Sequence, residues 1–274
     1  TEIYTSLFVG SVNVYKRQAY RSFIKDNNLQ EQILEFAKPA IIEGRASFEQ
    51  SSSDIQALIT STELSEEVIE EIKQSYDGLN GTPPVAVRSS ANAEDLPGLS
   101  FAGQQETYLI VTGSDAVVAA VKNCWSSLWT AQAISYRHQN GIDQNSVAMA
   151  VVVQIMVPSE VSGILFTANP ATGERDEIII NASFGLGEAV VSGQVTPDTY
   201  IVKKSDKTIK ETIIGPKEQK IISDGDQGVR MENVSTSDQG QSSLTENMIT
   251  ELVDTVMTVS YTHLRAHETS LHLV

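Results

Sequence analysis

Residues 85–109 read VAVRSSANAEDLPGLSFAGQQETYL, and the rest of the chain is interpreted outward from this stretch. It begins and ends with β-branched and aromatic residues that favour strands. Between them, Arg88 offers a permanent charge and a planar fork of donors suited to phosphate oxygens. Gly98 and Gly103 allow the backbone to approach a ligand closely. The residues alone leave two interpretations open: a loop that covers phosphates, or an ordinary long hairpin loop with a solvated Arg.

The composition predicts a folded globular protein that does not bind nucleic acid. The 274 residues are long enough to bury a sizeable core and to form one large or two small domains. The 19 basic and 35 acidic side chains give a formal net charge of −16. A nucleic-acid-binding protein needs a cationic surface, so that class is disfavoured. An anionic ligand would have to be held by local features such as Arg88.

The cysteine content and the apolar segments favour a cytoplasmic protein without a membrane partner. Cys124 is the only cysteine and cannot form an intrachain disulfide. It lies in the apolar stripe of a predicted helix, which indicates a buried packing position rather than a nucleophile. The sequence contains no signal peptide and no apolar run of about 18 residues.

Helical periodicity appears mainly in the first half of the chain. It predicts a helix beginning near Gln18, a second at residues 30–37 and a third that Ser65 caps. The clearest helix is predicted to begin with Ser114 as its cap and to end at residues 140–141.

Strand patterns dominate the second half. Residues 147–157 read VAMAVVVQIMV and predict a central strand buried on both faces, with Gln154 as its one polar member. Residues 162–167 and 177–183 predict a hairpin, and residues 200–202 and 208–214 predict further short strands. The polar residues 233–243 indicate a mobile loop. Helices followed by antiparallel strands indicate an α+β fold rather than a doubly wound sheet.

A second glycine-containing segment, SFGLGE at residues 183–188, has two possible interpretations. The further glycine of a dinucleotide fingerprint and the Gly-Lys-Ser/Thr ending of a P-loop are both missing. The segment can be a tight connection, or it can direct Glu188 toward a metal–phosphate centre. For Gln154 the corresponding alternatives are bonds to neighbouring backbone and contact with a ligand.

The motifs closely resemble the ATP-binding domain of the phosphoenolpyruvate synthase, pyruvate phosphate dikinase and rifampicin phosphotransferase family. The resemblance covers roughly residues 18–257 and is carried by VRSS, AEDLP and SFAGQQETY at residues 87–90, 93–97 and 100–108, and by SGILFT, SFGLGE and VTPD at residues 162–167, 183–188 and 195–198. It implies an ATP-grasp-like fold in which two subdomains hold ATP, with Mg²⁺ bridging the phosphates.

The resemblance also implies roles for individual residues. Arg88 would be the catalytic residue that binds phosphate, and Gly103 and Thr107 would line the phosphate end of the site. Gln154 would contact the nucleotide near the adenine and ribose, and Glu188 would belong to the same wall. The residues that bind the metal are not assigned.

In this family ATP phosphorylates a histidine on a separate swivelling domain, which passes the group to pyruvate, rifampicin or another acceptor. The resemblance therefore implies the ATP-binding module of a phosphotransferase, with a downstream phosphohistidine domain and an acceptor-binding domain as partners. Sequence does not choose the acceptor. The alternative is a catalytically inactive fragment that binds a nucleotide or regulates another protein.

Both ends of the chain depart from the family pattern. Residues 1–17 do not match, the N-terminal Gly-Gly-Lys segment is absent, and so is the C-terminal Gln-x-Arg-Pro stretch. We therefore expect residues 1–258 to form a partial nucleotide-binding domain that is inactive by itself. Residues 259–269 read VSYTHLRAHET and resemble one reading frame of a sequencing adapter. This predicts that residues 259–274 are a non-native tail; the alternative is a divergent C-terminal helix.

Overall fold

The computed structural model describes residues 12–42, 44–91, 107–225, 228–263 and 268–273. These residues divide into two compact units that meet in sequence at residues 156 and 157. We call residues 12–156 the N-terminal unit and residues 157–273 the C-terminal unit, and describe each by itself.

The N-terminal unit combines helices with a two-stranded and a three-stranded antiparallel sheet. Its elements are α1 (Val12–Asp26), α2 (Gln30–Phe36), β1 (Ala40–Ile42), β2 (Arg45–Ser47), α3 (Glu49–Ser61), α4 (Glu66–Asp77), β3 (Val85–Ala91), β4 (Thr107–Val111), α5 (Ser114–Ser127), α6 (Ala131–Gln139) and β5 (Met149–Ile155).

Helix termini follow the capping residues, with one correction. The Ser65 hydroxyl accepts a bond from the Val68 N–H at 3.4 Å, which confirms Ser65 as the cap of α4. The prediction of one helix capped by Ser114 was wrong. Gly113 takes the cap position with φ 92°, and the helix ends at Ser127. A second helix then begins because the Thr130 hydroxyl accepts the Ala133 N–H at 3.2 Å.

Aromatic side chains from α1 and α5 pack together in the core of the N-terminal unit. The Trp125 ring meets Tyr20 edge-on with centroids 5.8 Å apart and lies 5.3 Å from Phe23. The Trp129 indole N–H donates to the Tyr20 hydroxyl at 2.9 Å. Burial raises the pKa of Tyr20 to about 12, so this hydroxyl stays neutral. Cys124 is fully buried in the same core, as its position in the apolar stripe predicted.

The buried Arg137 joins α6 to this core through polar bonds. Its Nη1 donates to the Leu128 carbonyl at 2.7 Å, and its Nε donates to Gln144 Oε1 at 2.6 Å. The guanidinium carbon lies 5.0 Å from the centroid of the Trp129 ring. Burial lowers the pKa of Arg137 to about 10, so the side chain remains charged at neutral pH.

The three-stranded sheet has the order β4-β3-β5. The prediction that residues 147–157 form a central strand was wrong, because β5 is an edge strand of this sheet. Its first residues, Met149 and Ala150, are fully buried, whereas Val153 and Ile155 are 38% and 49% exposed. A continuous apolar run therefore marks only the beginning of β5 as core.

The hydroxyl of Tyr76, at the end of α4, connects the two segments that flank this sheet. It accepts the Gly113 N–H at 3.0 Å and lies 3.1 Å from the carbonyl oxygens of both Thr82 and Pro83. Tyr76 is 2% exposed, so these bonds are shielded from water. The entry to β3 and the segment after β4 are thereby joined at one side chain.

The C-terminal unit contains an antiparallel five-stranded sheet of order β12-β6-β7-β8-β9 and a separate hairpin of β10 and β11. Its elements are β6 (Val161–Phe166), β7 (Glu177–Phe184), α7 (Glu188–Val191), β8 (Asp198–Lys203), β9 (Ile209–Ile213), β10 (Gln219–Ser223), β11 (Val229–Asn233), α8 (Thr236–Gln239), α9 (Glu246–His263) and β12 (Glu268–Leu273). The pairing of β6 with β7 confirms the predicted hairpin.

One face of the five-stranded sheet forms the core of the C-terminal unit against α9. The fully buried side chains include Ile178, Tyr200 and Val202 from the sheet and Val253 and Val256 from the helix. Alternation along β7 and β8 places these residues on one face because successive side chains of a strand point to opposite sides.

Residues 233–243, predicted to be a mobile loop, are an ordered part of this unit. They contain α8, which the Ser235 hydroxyl caps by accepting the Asp238 N–H at 3.2 Å. Ser243 is 6% exposed, and its N–H donates to the Asp198 carboxylate at 2.7 Å. The prediction failed because a polar composition was equated with the absence of regular structure, whereas the mostly exposed residues 235–242 include a capped helix and Ser243 is anchored to Asp198.

The two units together give a mixture of helices and antiparallel sheets, which confirms the predicted α+β class. Within the described part of the chain, no helix is both long and apolar enough to cross a membrane.

Candidate functional site

Arg88, Thr107 and Gln154, three of the predicted site residues, lie on one face of the β4-β3-β5 sheet. Arg88 in β3 pairs directly with Thr107 in β4 and with Val152 in β5. Gln154 pairs with Ala86, two residues before Arg88. Directly paired residues of antiparallel strands share a face, and so do residues two apart in one strand. The register therefore brings a cation, a hydroxyl and an amide to the same side of the sheet.

A bulge in β4 puts Thr107 rather than Tyr108 opposite Arg88. Val85 pairs with Val111, but Val87 pairs with Tyr108, so β4 holds one extra residue between these pairs. Ile110 lies in this interval and has a φ of 56°, a left-handed conformation that is rare for a β-branched residue. Without the extra residue, Tyr108 would face Arg88. The bulge sends Tyr108 to the core and the Thr107 hydroxyl to the side of Arg88.

The environment of this polar face suits ligand binding. Ala86 and Ala150, which lie on the same face, are small and buried, whereas Arg88 and Gln154 are half-buried and Thr107 is exposed. A half-buried guanidinium keeps its charge and loses part of its hydration, which strengthens its interaction with an anion. This face can therefore bind a ligand that carries both an anionic end and a hydrogen-bonding end.

Glu188, the fourth predicted residue, begins α7 in the C-terminal unit and is half-buried. The turn before it is tightly fixed. The Gly185 N–H donates to the Glu160 carbonyl at 2.7 Å, and the Gly185 carbonyl accepts the Ser162 hydroxyl at 2.7 Å. A Cβ at Gly185 would lie 2.4 Å from the Ile221 carbonyl oxygen, and φ there is 82°. The glycine is required because β10 passes directly against this turn.

A buried polar network lies behind this turn and was not found from the sequence. Asp198 and Lys217 are both fully buried, and Lys217 Nζ donates to Asp198 Oδ1 at 2.5 Å. The same ammonium donates to the carbonyls of Gly215 at 2.9 Å and Gln239 at 3.0 Å. Its three N–H groups are thus all bonded, so Lys217 has no donor left for a ligand.

The Asp198 carboxylate is the centre of this network. Beside Lys217, it accepts the Gly215 N–H at 2.8 Å, the Ser243 N–H at 2.7 Å and the Tyr200 hydroxyl at 3.1 Å. Burial alone would raise the pKa of Asp198, but the hydrogen bonds from Lys217, Ser243 and Gly215 outweigh it and hold the pKa below its ordinary value. The carboxylate is therefore ionised at neutral pH.

The sheet face opposite α9 presents a further set of candidate contacts that was not predicted from the sequence. Asn181 in β7 pairs with Thr199 in β8 and with Ile164 in β6, and the Thr199 hydroxyl donates to Asn181 Oδ1 at 2.8 Å. Phe166, Ile179 and Ile201 follow on the same face. Phe166 and Ile201 are half-buried and Ile179 is buried, and apolar side chains beside one amide form a surface typical of small-molecule sites. The signal in residues 177–184 was the alternation itself, which puts Asn181 on the face with Glu177, Ile179 and Ser183, and the apolar Ile178, Ile180 and Ala182 on the other.

Of the five predicted residues, the structure therefore unites Arg88, Thr107 and Gln154 on one face and places Glu188 in the C-terminal unit. Gly103 lies outside the described residues. In the described part of the chain, no group of three or more His, Cys, Asp or Glu side chains is arranged to hold a metal ion.

Comparisons with known proteins give a consistent result. The family model described as "Pyruvate phosphate dikinase, AMP/ATP-binding domain" matches residues 12–266. A probable phosphoenolpyruvate synthase of Pyrococcus horikoshii and a phosphoenolpyruvate synthase of Pyrococcus furiosus are each 51% identical to this chain over 205 residues, covering 73% of the chain and 25% of each relative. A rifampicin phosphotransferase of Bacillus cereus is 41% identical over 233 residues, covering 85% of the chain and 27% of that protein. The chain thus spans about a quarter of the length of these relatives.

Proposed function

Because the chain belongs to the pyruvate phosphate dikinase AMP/ATP-binding domain family, we propose that it is the ATP-binding module of an ATP-dependent phosphotransferase. The observation that carries the proposal is the shared face of Arg88, Thr107 and Gln154. A cation and a hydroxyl lie at one end of this face and an amide at the other. That order matches a nucleotide, which has charged phosphates at one end and a hydrogen-bonding base at the other.

Each residue then has a defined task. The Arg88 guanidinium binds phosphate oxygens and offsets the negative charge that spreads over the transferred group. The Thr107 hydroxyl donates a bond to the same phosphates, and the backbone at Gly103 comes close to them. Gln154 bonds to the adenine or ribose, and Glu188 contributes to the wall near the phosphates. ATP supplies the phosphoryl group, and this chain aligns it and balances its charge.

Mg²⁺ is part of this proposal as the ion that accompanies the triphosphate. Magnesium bound to a nucleotide keeps several waters and needs only one or two protein carboxylates. Glu188 is a half-buried carboxylate in the glycine-containing turn and has the right chemistry for such a ligand. We assign no metal geometry, and the roles above do not depend on one.

The rest of the proposed reaction requires domains outside the matched region. We propose that a downstream phosphohistidine domain receives the phosphoryl group and that an acceptor-binding domain passes it to pyruvate or rifampicin, the substrates suggested by the names of the relatives. We propose the cytoplasm as the place of this reaction. The two compact units are the natural counterparts of the two ATP-grasp subdomains, residues 1–258 forming the partial domain and residues 259–274 the non-native tail.

We expect the 274-residue chain to bind ATP with Mg²⁺ weakly, in the millimolar range, so changes in affinity are compared as initial slopes of a titration. Arg88→Ala should lower the initial slope of amide shifts with ATP in an NMR titration by about tenfold, since one charged phosphate contact is worth roughly 1.5–3 kcal/mol. Arg21→Ala is the matched control because Arg21 is an exposed arginine of the same unit. In the full-length gene product, Arg88→Ala should abolish ATP-dependent phosphorylation of the histidine.

Three results would each contradict one part of the proposal. If ATP caused equal amide shifts in Arg88→Ala and wild type, Arg88 would not belong to the site. Micromolar affinity of the 274-residue chain would contradict the expected weak binding. An open reading frame that stops after residue 274, together with no ATP binding, would favour the inactive regulatory fragment.

A further inference from the structure

The network around Asp198 and Lys217 is larger than a packing role requires. Two opposite charges are removed from water completely, and four donors converge on one carboxylate. A buried ion pair of this kind is often no more stabilising than two apolar side chains of similar volume. Its distinctive property is directional bonding, which fixes the relative positions of the segments it joins. Two sets of contacts lead from this network to the turn before Glu188.

The first set of contacts, made by Lys217, fixes the position of the chain where β10 begins. Lys217 lies two residues before Gln219, the first residue of β10, and is anchored by Asp198, the Gly215 carbonyl and the Gln239 carbonyl. A Cβ at Gly215 would lie 2.3 Å from the Pro197 carbonyl oxygen, so the chain just before Lys217 is also packed without free space. The path into β10 is thus fixed from both sides.

Strand β10 in turn determines the turn that leads to Glu188. The Ile221 carbonyl accepts the Leu186 N–H at 2.8 Å and lies directly against Gly185. Leu186 is two residues before Glu188, and helix α7 begins at Glu188. A shift of β10 would therefore move the N-terminus of α7 together with the Glu188 carboxylate.

The second set of contacts reaches the same turn through β7. The Ser243 N–H donates to Asp198, and the Ser243 hydroxyl donates to the Ala182 carbonyl at 3.2 Å. Ala182 lies near the end of β7, three residues before Gly185, whose carbonyl accepts the Ser162 hydroxyl. Asp198 thus controls the Gly185–Glu188 turn from β10 and from β7.

From these contacts we propose that Asp198 and Lys217 are positioning residues that hold the Glu188 carboxylate in place for the nucleotide. The inference rests on the proposed function, since it assumes that Glu188 contacts ATP or its metal. Neither Asp198 nor Lys217 touches the ligand, because all of their polar atoms are used within the network.

The test compares two buried carboxylates: Asp198 in β8, which pairs with Ala182 near the end of β7, and Glu177, the first residue of β7. Two variants disturb the network near Glu188. The first is Lys217→Met, and the second combines Lys217→Met with Asp198→Asn so that no buried charge is left. Glu177→Gln is the matched control, because Glu177 begins β7 and accepts bonds from Lys210 at 2.6 Å and Asn169 at 2.7 Å. Each variant is made with and without Glu188→Gln, and the NMR titration with ATP and Mg²⁺ is repeated for the full 274-residue chain.

We expect the variants at residues 198 and 217 to reduce the initial slope of the ATP titration about tenfold, the lower end of the roughly 10–100-fold loss usual on removing a residue that orients a ligand-binding group. In the Glu188→Gln background the same changes should cost less than about twofold, because the group they position is already lost. The exchange rate of the Leu186 amide should also rise. Glu177→Gln should change neither the slope nor this rate.

The possible outcomes separate the inference from the function on which it rests. A wild-type chain that shows no ATP-dependent shifts would overturn the proposed function, and the inference with it. ATP binding that depends on Arg88 but is unaffected by the changes at residues 198 and 217 would overturn the inference alone. The inference would equally fail if Glu177→Gln gave the same loss or if the effect were undiminished in the Glu188→Gln background, since either result indicates a purely structural role.

Discussion

Lys217→Met should lower the free energy of unfolding of the C-terminal unit by about 3–5 kcal/mol at neutral pH, because it leaves the buried Asp198 carboxylate without its counter-charge. The measurement is urea unfolding followed by the NMR signals of β7. Lys207→Met is the matched control: Lys207 also bonds a carboxylate, that of Asp254, at 2.5 Å, but both side chains are about half exposed. Such surface pairs contribute at most about 1 kcal/mol.

The pH dependence distinguishes loss of the ion pair from loss of packing. Because the folded-state pKa of Asp198 is depressed, its contribution to stability is present above the unfolded pKa of about 4 and is lost as the pH falls through the lower folded value. The variant with Asp198→Asn and Lys217→Met should lack this acid-dependent part and should be more stable than Lys217→Met alone. If Lys217→Met and Lys207→Met lowered the free energy of unfolding equally, the buried ion pair would not be more important for stability than the exposed one.

Gly163→Ala should destabilise the five-stranded sheet by about 3 kcal/mol, which is the upper end of the usual cost of overpacking. A Cβ at Gly163 would lie 2.3 Å from the Asn181 carbonyl oxygen and 3.1 Å from the Ala182 Cα. Both are backbone atoms of β7, which has paired strands on both sides and cannot move away easily. Thermal unfolding measured by circular dichroism would report the change.

Gly240→Ala provides the comparison for this substitution. Gly240 follows α8 with φ −84° and ψ −2°, and no atom lies within 4 Å of its added Cβ. Alanine fits this conformation, so the replacement should be neutral or stabilise by up to about 1 kcal/mol through the unfolded state. If Gly163→Ala and Gly240→Ala changed the stability equally, the close approach of β6 to β7 would not be the reason that residue 163 is a glycine.

Sequence reasoning identified those elements whose determinants are local. Ser65 was found as a helix cap because its hydroxyl bonds a residue three positions ahead, and the β6–β7 hairpin was found because its turn residues lie between two apolar runs. The break between α5 and α6 was missed although Thr130 is a good cap, because the apolar stripe continues across it through Leu128 and Trp129. The edge position of β5 was missed because strand order depends on pairing partners, which hydrophobicity does not encode.

In the candidate site, too, some features were predicted from the sequence and others, which depend on strand pairing, were not. The resemblance assigned roles to Arg88, Thr107 and Gln154, and the sheet register supports their grouping. The bulge at Ile110, which turns Thr107 toward Arg88, has no sequence signature, since glycine or asparagine would be expected at a left-handed position. Asp198 begins β8 and Lys217 follows β9, so their pairing depends on how the two strands fold back and could not be predicted from either residue type alone.

The hydrogen bonds of the Tyr76 hydroxyl help to fix the register between β3 and β4. In a sheet with one buried side, sliding one strand by a single residue exchanges its inward and outward side chains. Tyr76 holds the carbonyls before β3 and the amide after β4 at one fixed point, so the two strands cannot slide past each other at that end. Tyr76, in the helix that precedes β3, thus disfavours a misaligned sheet in which the Arg88 guanidinium would face the apolar core.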